Sequence, residues 1–140
     1  MALIKDQQLS SSAAATPELT FEAWVADREL GDSVLANGDD DLNQLIDESS
    51  NMAMIAIEFD TFADGRGYSM ARMLRRAGFE GEIRAVGDVA MDRLEFMQRV
   101  GFDAFELRDD QPVEEALTKL AEMSVHFQPS ADGKGPAYLS

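Results

Sequence analysis

Cysteine is absent from the sequence, histidine occurs once, and no apolar run approaches the length needed to cross a bilayer. Without cysteine there are no disulfides, no thiolate nucleophile and no cysteine-ligated zinc or iron–sulfur cluster. A redox role would have to be carried by a bound cofactor or by a partner, and no cofactor is indicated. The lone histidine, His126, has no second histidine or carboxylate at ligand spacing, so a surface or packing role is expected for it. The longest apolar run covers only residues 52–57. The first residues lack the charged start and apolar stretch of a signal peptide, so a cytoplasmic protein is expected.

Basic residues are also scarce, and unevenly placed. The chain has 12 Lys and Arg against 27 Asp and Glu, a net charge of −15. Residues 1–60 hold 13 acids and 2 bases, residues 61–108 hold 8 of each, and residues 109–140 hold 6 acids and 2 bases. Phosphate backbones and anionic lipid need a positive field, so nucleic acid and membrane are disfavoured as partners. All eight bases of the middle third are arginines. A neutral, arginine-bearing core thus lies between acidic flanks, and solubility alone is enough to account for the flanks.

What is present is a regular alternation of strand and helix signals. The 140 residues suffice for one domain with a proper core. Residues 1–32 are expected to be a flexible or peripheral segment, with a short edge strand at 3–5, a connection at 10–16 and a short helix at 21–30 that packs Trp24. From residue 33 to 127 a single α/β domain is expected, followed by a flexible tail at 128–140. Its strands are placed at 33–36, 52–59, 82–86 and 103–107. Asp39 or Asp40 is expected to cap the first helix, and Asp88 a helix over 89–100. Another helix is expected over 68–77, with Met70, Met73, Leu74 and Ala77 inward and Arg72, Arg75 and Arg76 outward. Pro112 marks the start of a last helix.

Arg76-Ala-Gly-Phe-Glu80 and Arg99-Val-Gly-Phe-Asp103 repeat one pattern at two helix exits. That spacing fits one compact β-loop-α unit and predicts about four βα units with a parallel sheet. Either half of a β/α barrel or an open doubly wound sheet satisfies the pattern. Open sheet edges would leave two copies able to close a full barrel, so a homodimer is one expectation.

In parallel α/β proteins ligand-binding loops lie at the carboxyl ends of the strands. The most unusual such loop is Thr61-Phe-Ala-Asp-Gly-Arg-Gly-Tyr-Ser69. Asp64, Gly65, Arg66, Gly67, Tyr68 and Ser69 place two glycines around an arginine at a helix start, where free N–H groups favour anions. With Arg84 and Asp88, these residues are the candidate site for a small oxyanion or for a partner. The competing reading is a tight turn in which Arg66 pairs with Asp60, Asp64 or Asp88. Glu58, Asp60, Asp88 and Glu106 fall near strand ends, as magnesium ligands do in some barrels. Caps and arginine pairs explain them as well, and no metal is expected.

Ile57-Glu-Phe59, Phe62-Ala-Asp-Gly-Arg-Gly-Tyr-Ser69 with Ala71-Arg72, Arg84-Ala-Val-Gly-Asp88-Val89 and Gly101-Phe-Asp-Ala-Phe105 resemble, in order and spacing, the bacterial domain of unknown function 934 family. The resemblance covers most of residues 33–128. Members of that family are typically encoded beside assimilatory sulfite reductase. The resemblance therefore implies an accessory role in sulfur assimilation and cysteine biosynthesis, with a sulfite reductase component as partner. It supplies no catalytic residues. Family members usually have proline at the position of Asp60 and often cysteine at that of Val100, so any role of that cysteine is unavailable to this chain. The alternative expectation is a small enzyme or carrier that binds sulfite, phosphate or a phosphorylated metabolite through the 64–69 loop.

Overall fold

Strands alternating with helices, each strand apolar on both faces, can satisfy their backbones and bury their side chains only as a parallel sheet with helices packed on it. The computed structural model has this arrangement; its described residues are 2–6, 8–9, 15–60, 65–107 and 112–126. The expected tail at 128–140 lies outside them. Four parallel strands, β3 (Ser33–Asn37), β4 (Met54–Phe59), β5 (Glu82–Gly87) and β6 (Ala104–Leu107), lie side by side in chain order. An antiparallel pair, β1 (Ala2–Lys5) and β2 (Gln8–Leu9), extends the sheet beyond β6.

Each parallel strand is followed by a helix: α2 (Leu42–Glu48), α3 (Gly65–Arg76), α4 (Leu94–Val100) and α5 (Val113–His126), after the short α1 (Phe21–Ala26). Helix α2 touches α3, α3 touches α4, and α4 touches α5, so these helices form one layer. Unreversed strand order with a single helix layer is the winding of half a β/α barrel; a doubly wound sheet would reverse its order and carry helices on both faces.

The pleat divides each strand between two environments. Val34, Ala36, Ile55, Ile57, Phe59, Ile83, Ala85, Phe105 and Leu107 face the helices and share one core with Leu45, Met70, Ala71, Leu74, Leu94, Met97, Val100, Ala116 and Leu120. Burying a side chain such as Ile55 or Ile83 contributes roughly 1.5–3 kcal/mol. The N-terminal residues Ile4, Phe21 and Trp24 are buried in the same core.

The other sheet face, with Met54, Ala56, Arg84, Val86 and Ala104, is also buried. The extended segment 15–20 lies over part of it. The Thr16 hydroxyl accepts from Arg84 Nη1 at 3.1 Å and donates to the Glu106 carboxylate. At the far edge the Leu35 amide donates to the Leu19 carbonyl at 2.7 Å, and Thr20 bridges to Leu35.

The repeated motif is a helix stop used twice. Gly78 and Gly101 take φ of 101° and 128°, which favour glycine, and the next residues, Phe79 and Phe102, enter the core. Their amides donate back to Leu74 and Met97 carbonyls, both at 3.0 Å. Arg75 joins the two stops. It donates to the carbonyls of Phe79, Gly81 and Gly101 at 2.7–2.9 Å, and lies 3.5 Å from the Asp103 carboxylate. Arg75 is thus turned inward, a correction to its expected place beside Arg72 and Arg76, because these carbonyls at the helix ends need donors.

Further expectations change, among them Met73 and Ala77, which were expected inward on α3 and are exposed. Asp41, not Asp39 or Asp40, caps α2 by accepting from the Gln44 amide at 3.2 Å. Helix α4 begins at Leu94, after a short 3-10 turn at Met91–Arg93, and its cap position is held by Arg93 rather than Asp88. Val89, expected to open that helix, is instead buried and pins the preceding loop to the sheet. Helix α3 starts at Gly65, so Gly65 and Gly67 belong to its first turn and not to a loop.

Candidate functional site

At the carboxyl ends of β4 and β5, Phe59 meets the first turn of α3 and the start of the β5–α4 loop. The Phe59 ring lies beneath the first turn of α3: a Cβ on Gly67 would meet that ring at 2.5 Å. Gly67 therefore allows helix and strand to approach each other, rather than admitting a ligand. The Phe59 carbonyl accepts from the Asp88 amide at 2.8 Å, and a Cβ on Gly87 would meet that carbonyl oxygen at 2.5 Å. Gly87, at φ 88°, is the glycine that the turn needs. One aromatic residue thus ties β4 to the first turn of α3 and to the start of the β5–α4 loop.

Arg66 points toward the β3–α2 turn. Its Nη1 lies 2.7 Å from the Asp39 carboxylate, and its side chain crosses Gly38, where a Cβ would meet Nε at 2.6 Å. The turn is tied internally: the Asp39 amide donates to Asn37 Oδ1, and the Asn37 amide donates to Asp40 Oδ2. This leaves the Asp39 carboxylate outward for Arg66. Asp39 is thus a partner of Arg66 beyond the Asp60, Asp64 and Asp88 expected from the sequence, and Asp64 lies outside the described residues. Arg66 and Asp39 side chains are 57% and 81% exposed, so the pair is a surface feature. An exposed pair of this kind is worth only about 0–1 kcal/mol to the fold.

Tyr68 lies between Phe59 and Phe96, with ring centroids 5.0 Å and 4.9 Å away. Burial pushes its hydroxyl pKa up; Arg93 opposes this, and Asp88 and Asp92 add to it. Ser69 is exposed one residue on. The other candidates separate. Asp88 is half-buried on the β5–α4 loop. Arg84 sits within β5 on the sheet face away from the helices, 1% exposed, with Nε 2.7 Å from Glu82. Glu82 also pairs with Lys5 at 2.8 Å, which raises the Lys5 pKa. The structure thus gathers Gly65, Arg66, Gly67, Tyr68 and Ser69 at one junction, with Asp88 beside it, and places Arg84 in a separate buried network.

The four carboxylates near strand ends are dispersed in the same way: Glu106 bonds Thr16, Glu58 and Asp60 are exposed, and Asp88 lies on its loop. Among the described residues no group of three or more His, Asp or Glu could hold a metal ion. No described helix is long and apolar enough to cross a membrane.

Gly38, Asp39, Phe59 and Phe96 were not among the candidates read from the sequence. The Asn37-Gly38 pair did signal a turn, but nothing local showed that a distant arginine would cross its glycine.

The profile of the family described as bacterial protein of unknown function (DUF934) matches residues 33–138. The chain belongs to that family. The match spans β3 through α5 and so covers the whole parallel part of the sheet and the Phe59 junction. A comparison with curated proteins gives no match, and neither does one with solved structures.

Proposed function

We propose that this DUF934 protein is an accessory protein of assimilatory sulfite reduction, acting through contact with a sulfite reductase component. The observation that supports contact is the exposure of the Arg66–Asp39 pair, which joins the first turn of α3 to the β3–α2 turn at the strand ends. An arginine that binds a small oxyanion tightly gains most when its surroundings are stripped of water. Arg66 is instead solvated and already neutralised by a carboxylate, which suits the rim of a protein–protein contact, where such pairs set orientation and encounter rate. The sulfite connection comes from the resemblance set out above.

The reading is tested in two steps. A tagged chain expressed in its own host on sulfate as sole sulfur source should co-purify with a sulfite reductase component. Deleting the gene should slow growth on sulfate and sulfite but not on cysteine. Normal growth on sulfite, together with no co-purification, would sink it. The oxyanion alternative makes a different demand: a thermal shift with sulfite, sulfate or phosphate that disappears in Arg66→Ala.

A further inference from the structure

Helix α3 carries Arg66, Arg72, Arg75 and Arg76 and no acidic residue, in a chain of net charge −15. Two of these arginines are engaged by the fold, Arg66 by Asp39 and Arg75 by the carbonyls of the helix stops. Arg72 and Arg76 are one turn apart, share a stripe of the helix with Ser69, and are exposed. Apolar side chains flank this stripe on both sides. Met73 is 40% exposed and lies two turns along from Arg66, toward α2. Phe96 of α4 is also 40% exposed, and is fixed edge-on against Tyr68, one turn before Arg72. Leu30 is a further large exposed hydrophobic, remote in sequence from this face.

We propose that this face, Arg72 and Arg76 between Met73 and Phe96, is a docking surface for an acidic segment of a partner protein with an apolar anchor among its acids. Charge complementarity selects that occupant. The remainder of the chain is strongly acidic, so an incoming carboxylate is attracted along this stripe and repelled elsewhere, which fixes orientation as well as place. An extended polyanion such as duplex DNA or an anionic membrane would also cover the acidic surroundings and be repelled by them. The apolar flanks supply what charge alone cannot: Phe96, held against Tyr68, and the adaptable Met73 each border the stripe, and a Leu or Phe of the segment can pack on either edge. The inference rests on the accessory reading only in taking the partner to be a protein.

The test is selection from a random peptide library displayed on phage, against the full-length chain. Recovered peptides should carry Asp or Glu around a Leu, Ile or Phe. Their affinity should fall at least about tenfold for the Arg72→Glu/Arg76→Glu variant, and should drop with added salt. Both positions are exposed, so the variant should keep the wild-type circular dichroism and melting point. Met73→Ser provides a second variant that leaves the charge untouched and should weaken the same peptides. Peptides without acidic enrichment, equal binding to the charge-reversed variant, or preferential binding of a duplex DNA oligonucleotide or anionic vesicles would overturn the proposal. The double variant also separates this inference from the accessory reading. If the reductase component co-purifies equally well with it, the surface is wrong and the reading stands. If acidic peptides bind the surface but no reductase component co-purifies with the wild type, the reading is wrong and the surface stands.

Discussion

At the scale of single residues, glycines divide by what stands next to them. A Cβ on Gly65 would meet nothing within 4 Å, and the residue is helical, so Gly65→Ala should stabilise the fold by up to about 1 kcal/mol. Gly87→Ala meets both a positive φ and the Phe59 carbonyl oxygen, and should cost about 2 kcal/mol or more. Urea denaturation of the two variants checks both signs, and equal effects would mean that the Phe59 junction is wrongly drawn. Asp103 gives a pH-dependent counterpart. Burial pushes its carboxyl pKa up, against the lowering bond from the Ile83 amide and the nearby Arg75. A raised carboxylate pKa means that the folded chain holds the proton more tightly than the unfolded one. The group's contribution to stability is therefore greatest below the carboxylate range and is lost as pH rises through it. Asp103→Asn keeps an acceptor for the Ile83 amide but no longer titrates. Its melting point relative to wild type should thus be higher at about pH 7 than at about pH 4; the reverse slope would contradict the partial burial of Asp103.

At the scale of elements, the strands were legible because parallel strands buried on both faces leave continuous apolar runs, as at 52–57. The helix stops were legible too, since the repeated glycine and phenylalanine do the same physical work twice. Helix starts were harder to read. Gly65 and Gly67 look like loop residues by propensity, and only the Phe59 ring beneath them explains why α3 includes them. Val89 looked like the opening of a helix but was claimed by the core. Of the candidate site, the 65–69 segment was legible as a strand-to-helix junction, whereas the Arg66–Asp39 pair was not. That pair joins residues 27 apart through a turn whose geometry no local pattern encodes. Arg75 was misread for a related reason: its partners are backbone carbonyls, which carry no sequence signature. Because it satisfies three of them at two helix ends, Arg75→Ala should destabilise the chain by roughly 2–4 kcal/mol, more than Arg72→Ala on the exposed stripe. Denaturant midpoints of the two alanine variants give the comparison, and equal midpoints would contradict the clamp.

At the scale of the whole molecule, the first thirty residues close what the βα units leave open. Strand β1 covers the edge of β6, residues 19–20 lie along β3, and Thr16 lies over the buried Arg84. A chain beginning at residue 21 would bare both edges and part of the second sheet face, and should self-associate more strongly in light scattering than the full-length chain. A truncated chain that remained a compact monomer with an unchanged melting point would contradict this role. Charge is organised at the same scale, with an acid-free arginine helix set in a chain of net charge −15. The claim on which the functional account depends is that this protein works by touching a sulfite reductase component. The direct measurement is titration of the purified full-length chain into each purified reductase component by calorimetry, at low and at raised salt. Saturable, salt-sensitive binding to one component is the predicted result. Heat of dilution alone with every component, at any salt concentration, would contradict the account.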